Sequence, residues 1–187
     1  MSTPRALLLA PGAGASSDHH TLVALEEALA PLPVGRMDFP YRKAGRKAPD
    51  RAPVAVAAVV EEAGLLADSA GVEPDAIALG GRSFGGRMCS MAVAEGLPAA
   101  GLVLLSYPLH PPGKPDRLRI EHFASLTVPC LFISGAKDPF GSPEEFETHT
   151  TAIPGPVTHV WLPGGHDPRN ADGPIADAVK EWLASLA

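Results

Sequence analysis

The chain has 187 residues, of which 45% are hydrophobic and 19% are charged, and its formal net charge is −6. This length predicts one globular domain over residues 1–187, with a core large enough to need no disulfide or metal support. The hydrophobic and charged fractions are those of a globular protein and exclude a disordered chain. The acidic balance argues against a nucleic-acid partner, since phosphate binding requires clustered Lys and Arg.

Six short apolar runs along the chain have the length of β-strands, and several are apolar throughout, as strands covered on both faces are. They are "ALLLA" (6–10), "VGRMDF" (34–39), "AIALG" (76–80), "GLVLLS" (101–106), "CLFIS" (130–134) and "THVWL" (158–162).

Helical patterns separate these runs. The predicted helices cover residues 20–30, 53–70, 83–95, 143–151 and 173–186. Pro53 opens the second of them, and "SPEEF" at 142–146 combines a capping Ser with a Pro at the first helical position. This alternation predicts an α/β fold, in which an open parallel sheet carries helices on both faces as a three-layer αβα sandwich.

Cys89 and Cys130 fall in apolar stretches, which is typical of core residues in a reducing compartment. The apolar run at 6–10 is too short for a signal peptide, and no run approaches the roughly 18 residues of a membrane span. We therefore expect a cytoplasmic protein with no membrane partner.

The motif Gly81-Arg82-Ser83-Phe84-Gly85 lies between a predicted strand and a predicted helix. One interpretation is a tight turn in which the Ser83 hydroxyl caps the helix. The other is a nucleophile elbow, a strained turn that projects Ser83 from the strand end, and the strand–turn–helix context favours it.

A serine hydroxyl becomes a useful nucleophile only when an oriented base accepts its proton. Asp138 follows the fifth predicted strand and His166 follows the sixth, so both lie at the carboxyl edge of the sheet with Ser83. We predict that Ser83, Asp138 and His166 form a catalytic triad. Asp167 is the rival acid, but it adjoins His166 and has difficulty reaching the imidazole ring.

Acyl transfer also requires donors for the oxyanion. The backbone N–H of Phe84 is the first candidate, and the N–H of Ala13 in the loop "PGAG" (11–14) is the second. Gly12 and Gly14 would give this loop its conformation and bring bare backbone close to Ser83, and both are also candidate substrate contacts.

The stretches "GGRSFGGRMCS" (80–90) and "YRKAGRKAPDRAP" (41–53) resemble those of the α/β-hydrolase superfamily, in particular the KANL3/Tex30-type hydrolase-like domain near the dienelactone-hydrolase-like proteins. The resemblance spans nearly the whole chain and implies the triad named above. If the superfamily's usual order holds, the sheet order is 2-1-3-4-5-6. Two departures are "PGAG" where many relatives have "HGAG", and a serine nucleophile where dienelactone hydrolases use cysteine.

Larger relatives insert a lid after the fourth strand. Here residues 107–128, which include four prolines, leave room for a loop and one short helix. We therefore expect a minimal, lidless α/β-hydrolase fold with an open site.

The basic stretch "RKAGRK" (42–47) follows the second strand, so Arg42 and Arg46 are candidate substrate contacts for a carboxylate or phosphate. A solvated loop is the competing interpretation. We expect Arg82 and Arg87, which flank Ser83, to form ion pairs that fix the elbow.

Asp18, His19 and His20 resemble a metal cluster but lack a visible third ligand group, so we predict helix capping by Ser17 or Asp18 instead, with no metal or other cofactor. His20 is also a candidate for lining the substrate pocket.

These observations predict a serine hydrolase that cleaves an ester or related acyl bond of a small molecule through an acyl-serine. A thioesterase and a non-catalytic interaction domain are the alternatives. The oligomeric state and the natural substrate are left open.

Overall fold

A computed structural model describes residues 3–186. Its six strands are β1 (Ala6–Ala10), β2 (Val34–Arg36), β3 (Ile77–Arg82), β4 (Gly101–Leu105), β5 (Cys130–Gly135) and β6 (Val157–Leu162). All neighbouring strands pair in parallel, in the order β2-β1-β3-β4-β5-β6. The predicted sheet and its order are therefore confirmed.

Six helices connect and cover the strands: α1 (His20–Leu29), α2 (Pro40–Lys43), α3 (Ala52–Ala70), α4 (Phe84–Ala94), α5 (Pro143–His149) and α6 (Asp172–Ser185). Short 3-10 turns occupy Pro74–Ala76, Phe123–Ser125 and Thr150–Ala152. Within residues 3–186, no helix has both the length and the apolar character needed to cross a membrane.

The sheet buries both of its faces. Leu7 and Leu9 of β1 pack with α1 and α6 on one side, whereas Leu8 packs with α3 and α4 on the other. Alternate residues of a strand face opposite sides, so a strand covered on both sides must be apolar throughout. That requirement explains the uninterrupted apolar runs in the sequence.

Two strand boundaries differ from the predicted ones by more than one residue. β2 ends at Arg36 instead of residue 39, because Phe39 is the N-cap of α2 and Pro40 is the first residue of that helix. β3 continues to Arg82, since Gly81 pairs with Ala10 and Arg82 pairs with Leu105. The extension carries the strand directly up to Ser83.

The sequence also predicts which residues cap the N-termini of two helices, α5 and α1. At α5, Ser142 accepts a hydrogen bond from the Glu145 N–H (3.3 Å) and donates its own N–H to the Glu145 carboxylate (2.7 Å), which confirms the predicted cap. At α1, the prediction of capping by Ser17 or Asp18 is wrong. His19 is the N-cap, and its ring Nδ1 accepts a hydrogen bond from the Thr21 N–H.

The segment between β4 and β5 forms a loop with one 3-10 turn at Phe123–Ser125 and no lid domain. The fold is thus the minimal, lidless α/β architecture that the sequence predicts, and it leaves the carboxyl edge of the sheet open.

Candidate active site

The turn after β3 holds Ser83 in a strained conformation, with φ 51° and ψ −114°. A positive φ costs a non-glycine residue on the order of 1–3 kcal/mol. Two backbone hydrogen bonds hold it in place: the Ser83 N–H donates to the Leu105 carbonyl (2.8 Å), and the Ser83 carbonyl accepts from the Arg87 N–H (3.0 Å). The Ser83 side chain makes no capping bond to α4, so the capping interpretation is wrong.

The glycines on both sides of Ser83 allow the turn to approach β1 closely. A Cβ atom on Gly81 would lie 2.1 Å from the Ala10 carbonyl oxygen, and one on Gly85 would lie 2.3 Å from the same atom. Both distances are far shorter than a van der Waals contact, and the obstacle is backbone. Side chains at these two positions are therefore incompatible with the elbow.

The side chains of Ser83, His166 and Asp138 form one hydrogen-bonded chain. His166 Nε2 lies 2.9 Å from Ser83 Oγ, and His166 Nδ1 lies 2.8 Å from Asp138 Oδ2. An ionised carboxylate only accepts hydrogen bonds, so Nδ1 carries the proton and Nε2 presents its lone pair to the serine hydroxyl. The structure thus brings together the three residues predicted as a triad.

Both carboxylate oxygens of Asp138 have hydrogen-bond partners, one of which is His166 Nδ1. The Asp138 side chain is fully buried, and its second oxygen accepts a hydrogen bond from the Phe140 N–H (2.9 Å). The Phe140 ring packs on the His166 ring with centroids 4.1 Å apart. These contacts fix both the tautomer and the orientation of His166.

The rival acid, Asp167, pairs with Arg82 at 2.7 Å, whereas the partner of His166 Nδ1 is Asp138. The same guanidinium donates to the His166 carbonyl oxygen at 2.8 Å. Arg82 therefore ties the elbow to the histidine loop, which confirms its predicted ion pair. Arg87 forms no ion pair with any described residue, so that part of the expectation is wrong.

The backbone N–H groups of Ala13 and Phe84 are available as donors beside Ser83. Neither donates a hydrogen bond to a described residue, and Phe84 is the first residue of α4, whose N–H has no intrahelical acceptor. A Cβ atom on Gly12 would lie 3.6 Å from the Ser83 Cβ, so this part of the loop runs beside the serine. Gly14 adopts a left-handed φ of 78°, and its N–H donates to the Tyr41 hydroxyl (3.1 Å). The loop thus places bare backbone next to the serine.

A cleft of about 420 Å³ opens above these groups, and we call it the Ser83 cleft. It is lined by Ala13, Pro49, Ser83, Phe84, Arg87, Pro108, Arg119 and Phe140. Its volume suits a small organic molecule. Arg119 was not singled out in the sequence, where it stands among other charged residues of a Pro-rich loop with no distinguishing signal.

None of the predicted substrate contacts lines the Ser83 cleft. These are Gly12, Gly14, His20, Arg42 and Arg46. In the basic stretch, Arg46 pairs with Asp50 (2.7 Å) and Lys43 with Glu62 (2.6 Å), as solvated surface charges do. Substrate contact by Arg42 and Arg46 stays a prediction.

His20 lies in a neighbouring hollow of about 250 Å³ and bonds to Asp172 (2.7 Å). Burial and the nearby Arg82 and His20 lower the pKa of His19. A third ligand group that the sequence did not reveal is present, because Asp167 has a donor atom within 4.8 Å of His19 and His20. Asp167 and His20 already have partners there, in Arg82 and Asp172.

A parallel sheet flanked by helices, with a serine elbow after its central strand, defines the α/β-hydrolase class. The chain belongs to the alpha/beta hydrolase domain family, whose model matches residues 3–180. The narrower KANL3/Tex30-type resemblance stays a prediction.

Three solved structures illustrate the similarity of fold. Est1E from Butyrivibrio proteoclasticus, solved with bound ferulic acid, is 16% identical, with a TM-score of 0.74 over 98% of this chain and 90% of that one. Dienelactone hydrolase from Anabaena variabilis is 18% identical, with a TM-score of 0.77 over 98% and 87%. The RedJ thioesterase from Streptomyces coelicolor is 17% identical, with a TM-score of 0.67 over 97% and 85%.

Proposed function

We propose that this protein is a serine hydrolase that cleaves an ester or related acyl bond of a small molecule through an acyl-serine intermediate. The observation that carries the proposal is the hydrogen-bonded chain from Ser83 Oγ through His166 to the buried Asp138 carboxylate. Membership of the alpha/beta hydrolase domain family supports it.

In the first half of the reaction, Ser83 Oγ forms a bond to the acyl carbon while its proton passes to His166 Nε2. The carbonyl electrons move to oxygen, and that oxyanion accepts hydrogen bonds from the N–H groups of Ala13 and Phe84. The carbonyl then re-forms as the bond to the leaving group breaks, and the leaving group takes the proton from His166.

In the second half, water attacks the acyl carbon and gives a proton to His166. The bond to Ser83 Oγ breaks, the serine regains its proton, and the carboxylic acid departs. Asp138 stays ionised throughout and stabilises the imidazolium that forms in each half. No step requires a cofactor.

The test is the Ser83→Ala variant, with Ser69→Ala as the matched control, because Ser69 is exposed on α3. We expect Ser83→Ala to lower the turnover of p-nitrophenyl butyrate at least about a thousandfold and to abolish labelling by a fluorophosphonate probe. Ser69→Ala should behave as the wild type.

Equal labelling of the wild type and Ser83→Ala would show that another residue reacts with the probe. No labelling of the wild type would favour the alternative, an interaction domain without catalysis. Comparing kcat/KM for p-nitrophenyl butyrate and for a butyryl thioester distinguishes esterase from thioesterase activity. Both substrates form the same acyl-serine, so a difference in kcat/KM reports the preference for the leaving group.

A further inference from the structure

Two guanidinium groups line the Ser83 cleft without a carboxylate partner. Arg36, Lys43, Arg46 and Arg82 all form ion pairs elsewhere in the molecule. Arg87 and Arg119 form none with the described residues, and their side chains donate no hydrogen bond to them either. Both residues are only partly exposed.

The positions of these two arginines are costly for the free protein. The Nε atom of Arg87 is buried and has no hydrogen-bond partner in the part of the chain that the structure describes. Burial and the nearby charge of Arg87 lower the pKa of Arg119, so the two cations are close enough to disfavour each other. A buried donor without an acceptor costs about 1–3 kcal/mol, more if it is charged. An anion bound between the two guanidinium groups would give the Arg87 Nε–H an acceptor and would offset the repulsion between the two positive charges.

Glu121, the acidic side chain that acts electrostatically on Arg119, does not fill this role. It is exposed and pairs with neither arginine. The other side chains of the cleft wall are apolar, apart from that of Ser83, and include Pro49, Pro108 and Phe140. The arginines are therefore the cationic groups that a molecule bound in the cleft would meet.

We propose that Arg87 and Arg119 form an anion-binding subsite that selects substrates carrying a carboxylate or phosphate group in addition to the scissile acyl bond. This inference rests on the proposed function, because it names the substrate class of the same site. Guanidinium groups bind such oxyanions through paired, charge-assisted hydrogen bonds.

The fold also sets the spacing between the two groups of the substrate. Arg87 follows Ser83 by four residues, which is about one turn and about 6 Å along a helix. We therefore test a substrate whose anionic group lies several bonds from the reacting carbonyl. A half-ester of adipic acid, whose carboxylate is separated from the ester carbonyl by four methylene groups, matches this requirement.

The experiment compares mono-p-nitrophenyl adipate with its neutral methyl ester. We expect the wild type to show at least tenfold higher kcat/KM for the anionic ester, and this preference should shrink as salt screens the charges. Arg87→Met and Arg119→Met should each remove tenfold or more of kcat/KM for the anionic ester and change the neutral ester less than threefold. Arg87→Lys should retain part of the preference.

Arg117→Met is the matched control. Arg117 lies in the same loop as Arg119, is exposed and does not line the Ser83 cleft. Its replacement removes the same charge and should leave both esters unchanged. Equal losses on both esters in Arg87→Met and Arg119→Met, or a wild type that does not prefer the anionic ester, would overturn the proposal.

A binding measurement separates this inference from the proposed function. Monomethyl adipate and monobutyl phosphate are titrated into the wild type and the two Met variants by calorimetry. Binding of either anion by the wild type, weakened tenfold or more in both variants, supports the subsite even if neither ester is hydrolysed, and the tighter anion identifies the group. Hydrolysis that depends on Ser83, without arginine-dependent binding of either anion, would support the hydrolase and refute the subsite.

Discussion

The buried Asp138 carboxylate accepts a hydrogen bond from His166 Nδ1 at 2.8 Å, although Asp167 is the chain neighbour of that histidine. In Asp138→Asn, the amide can donate to Nδ1, which would leave Nε2 protonated and unable to accept from Ser83. We expect kcat for p-nitrophenyl butyrate to fall about 10³- to 10⁴-fold with little change in KM. The measurement is steady-state kinetics of the purified variant.

Asp167→Asn is the matched control for that variant. It removes one carboxylate beside the same histidine but leaves the Asp138–His166 bond in place, so we expect less than a tenfold loss. A large loss in Asp167→Asn together with a small loss in Asp138→Asn would assign the acid to Asp167 instead.

The second prediction concerns the packing of the elbow. In Gly85→Ala, the new methyl group would lie 2.3 Å from the Ala10 carbonyl oxygen, and α4 must shift away from β1. We expect a loss of about 1–3 kcal/mol or more in the free energy of unfolding, measured by urea denaturation.

Gly64→Ala tests the same substitution in open space. Gly64 lies inside α3, and a Cβ atom there meets nothing within 4 Å. Alanine favours a helix over glycine by about 0.5–1 kcal/mol, so this variant should be more stable than the wild type. If Gly85→Ala and Gly64→Ala both have the same urea midpoint of unfolding as the wild type, Gly85 does not lie in close contact with β1.

The third prediction is a pH effect on stability at His122. Burial, and secondarily the charge of Arg87, lower the pKa of His122 to about 4 from the ordinary value of 6.5. Between pH 6.5 and about pH 4, the His122 side chain is therefore protonated in the unfolded chain and neutral in the folded chain. The contribution of His122 to stability is complete above pH 6.5 and is lost as the pH falls from 6.5 towards 4.

His122→Gln removes this titration and retains a donor for Ser90 Oγ, which lies 2.8 Å from His122 Nε2. We expect the melting temperature of the variant to fall less steeply between pH 7 and pH 4 than that of the wild type. Parallel pH profiles of the two proteins would contradict the assigned shift.

The fourth prediction concerns the two thiols. Burial raises the pKa of Cys89 and of Cys130 to about 12, so neither forms the reactive thiolate at neutral pH. We expect Ellman's reagent to detect almost no thiol in the native protein and both thiols after denaturation in guanidinium chloride. Rapid reaction of the native protein would mean that one of these cysteines is accessible.

Local patterns were sufficient to predict the sheet and the proximity of Ser83, Asp138 and His166. Each strand is a short apolar run, and Ser83, Asp138 and His166 each follow such a run closely, so the parallel topology places them at one edge. The strained turn at Ser83 was predictable because Gly81-Arg82-Ser83-Phe84-Gly85 lies between a predicted strand and a predicted helix.

Contacts between distant segments were not predictable in the same way. Arg117 and Arg119 are two residues apart in one charged loop, yet only Arg119 lines the Ser83 cleft. In the basic stretch, the partner of Lys43 is Glu62, which comes from α3. These contacts depend on how the loops fold over the sheet. The periodicity of apolar residues predicts helices and strands but does not predict the path of a loop.

The location of β6 has a consequence for the durability of catalysis. Among the described strands β6 pairs with β5 alone, and all of its residues except Leu162 are at least partly exposed. Detaching it breaks one ladder of hydrogen bonds, whereas detaching β3 breaks two, so local opening at β6 needs less free energy. His166 follows this strand by four residues and would leave with it. Heat should therefore inactivate the proposed hydrolase before its circular dichroism changes, because the edge strand β6, which precedes His166, opens before the core.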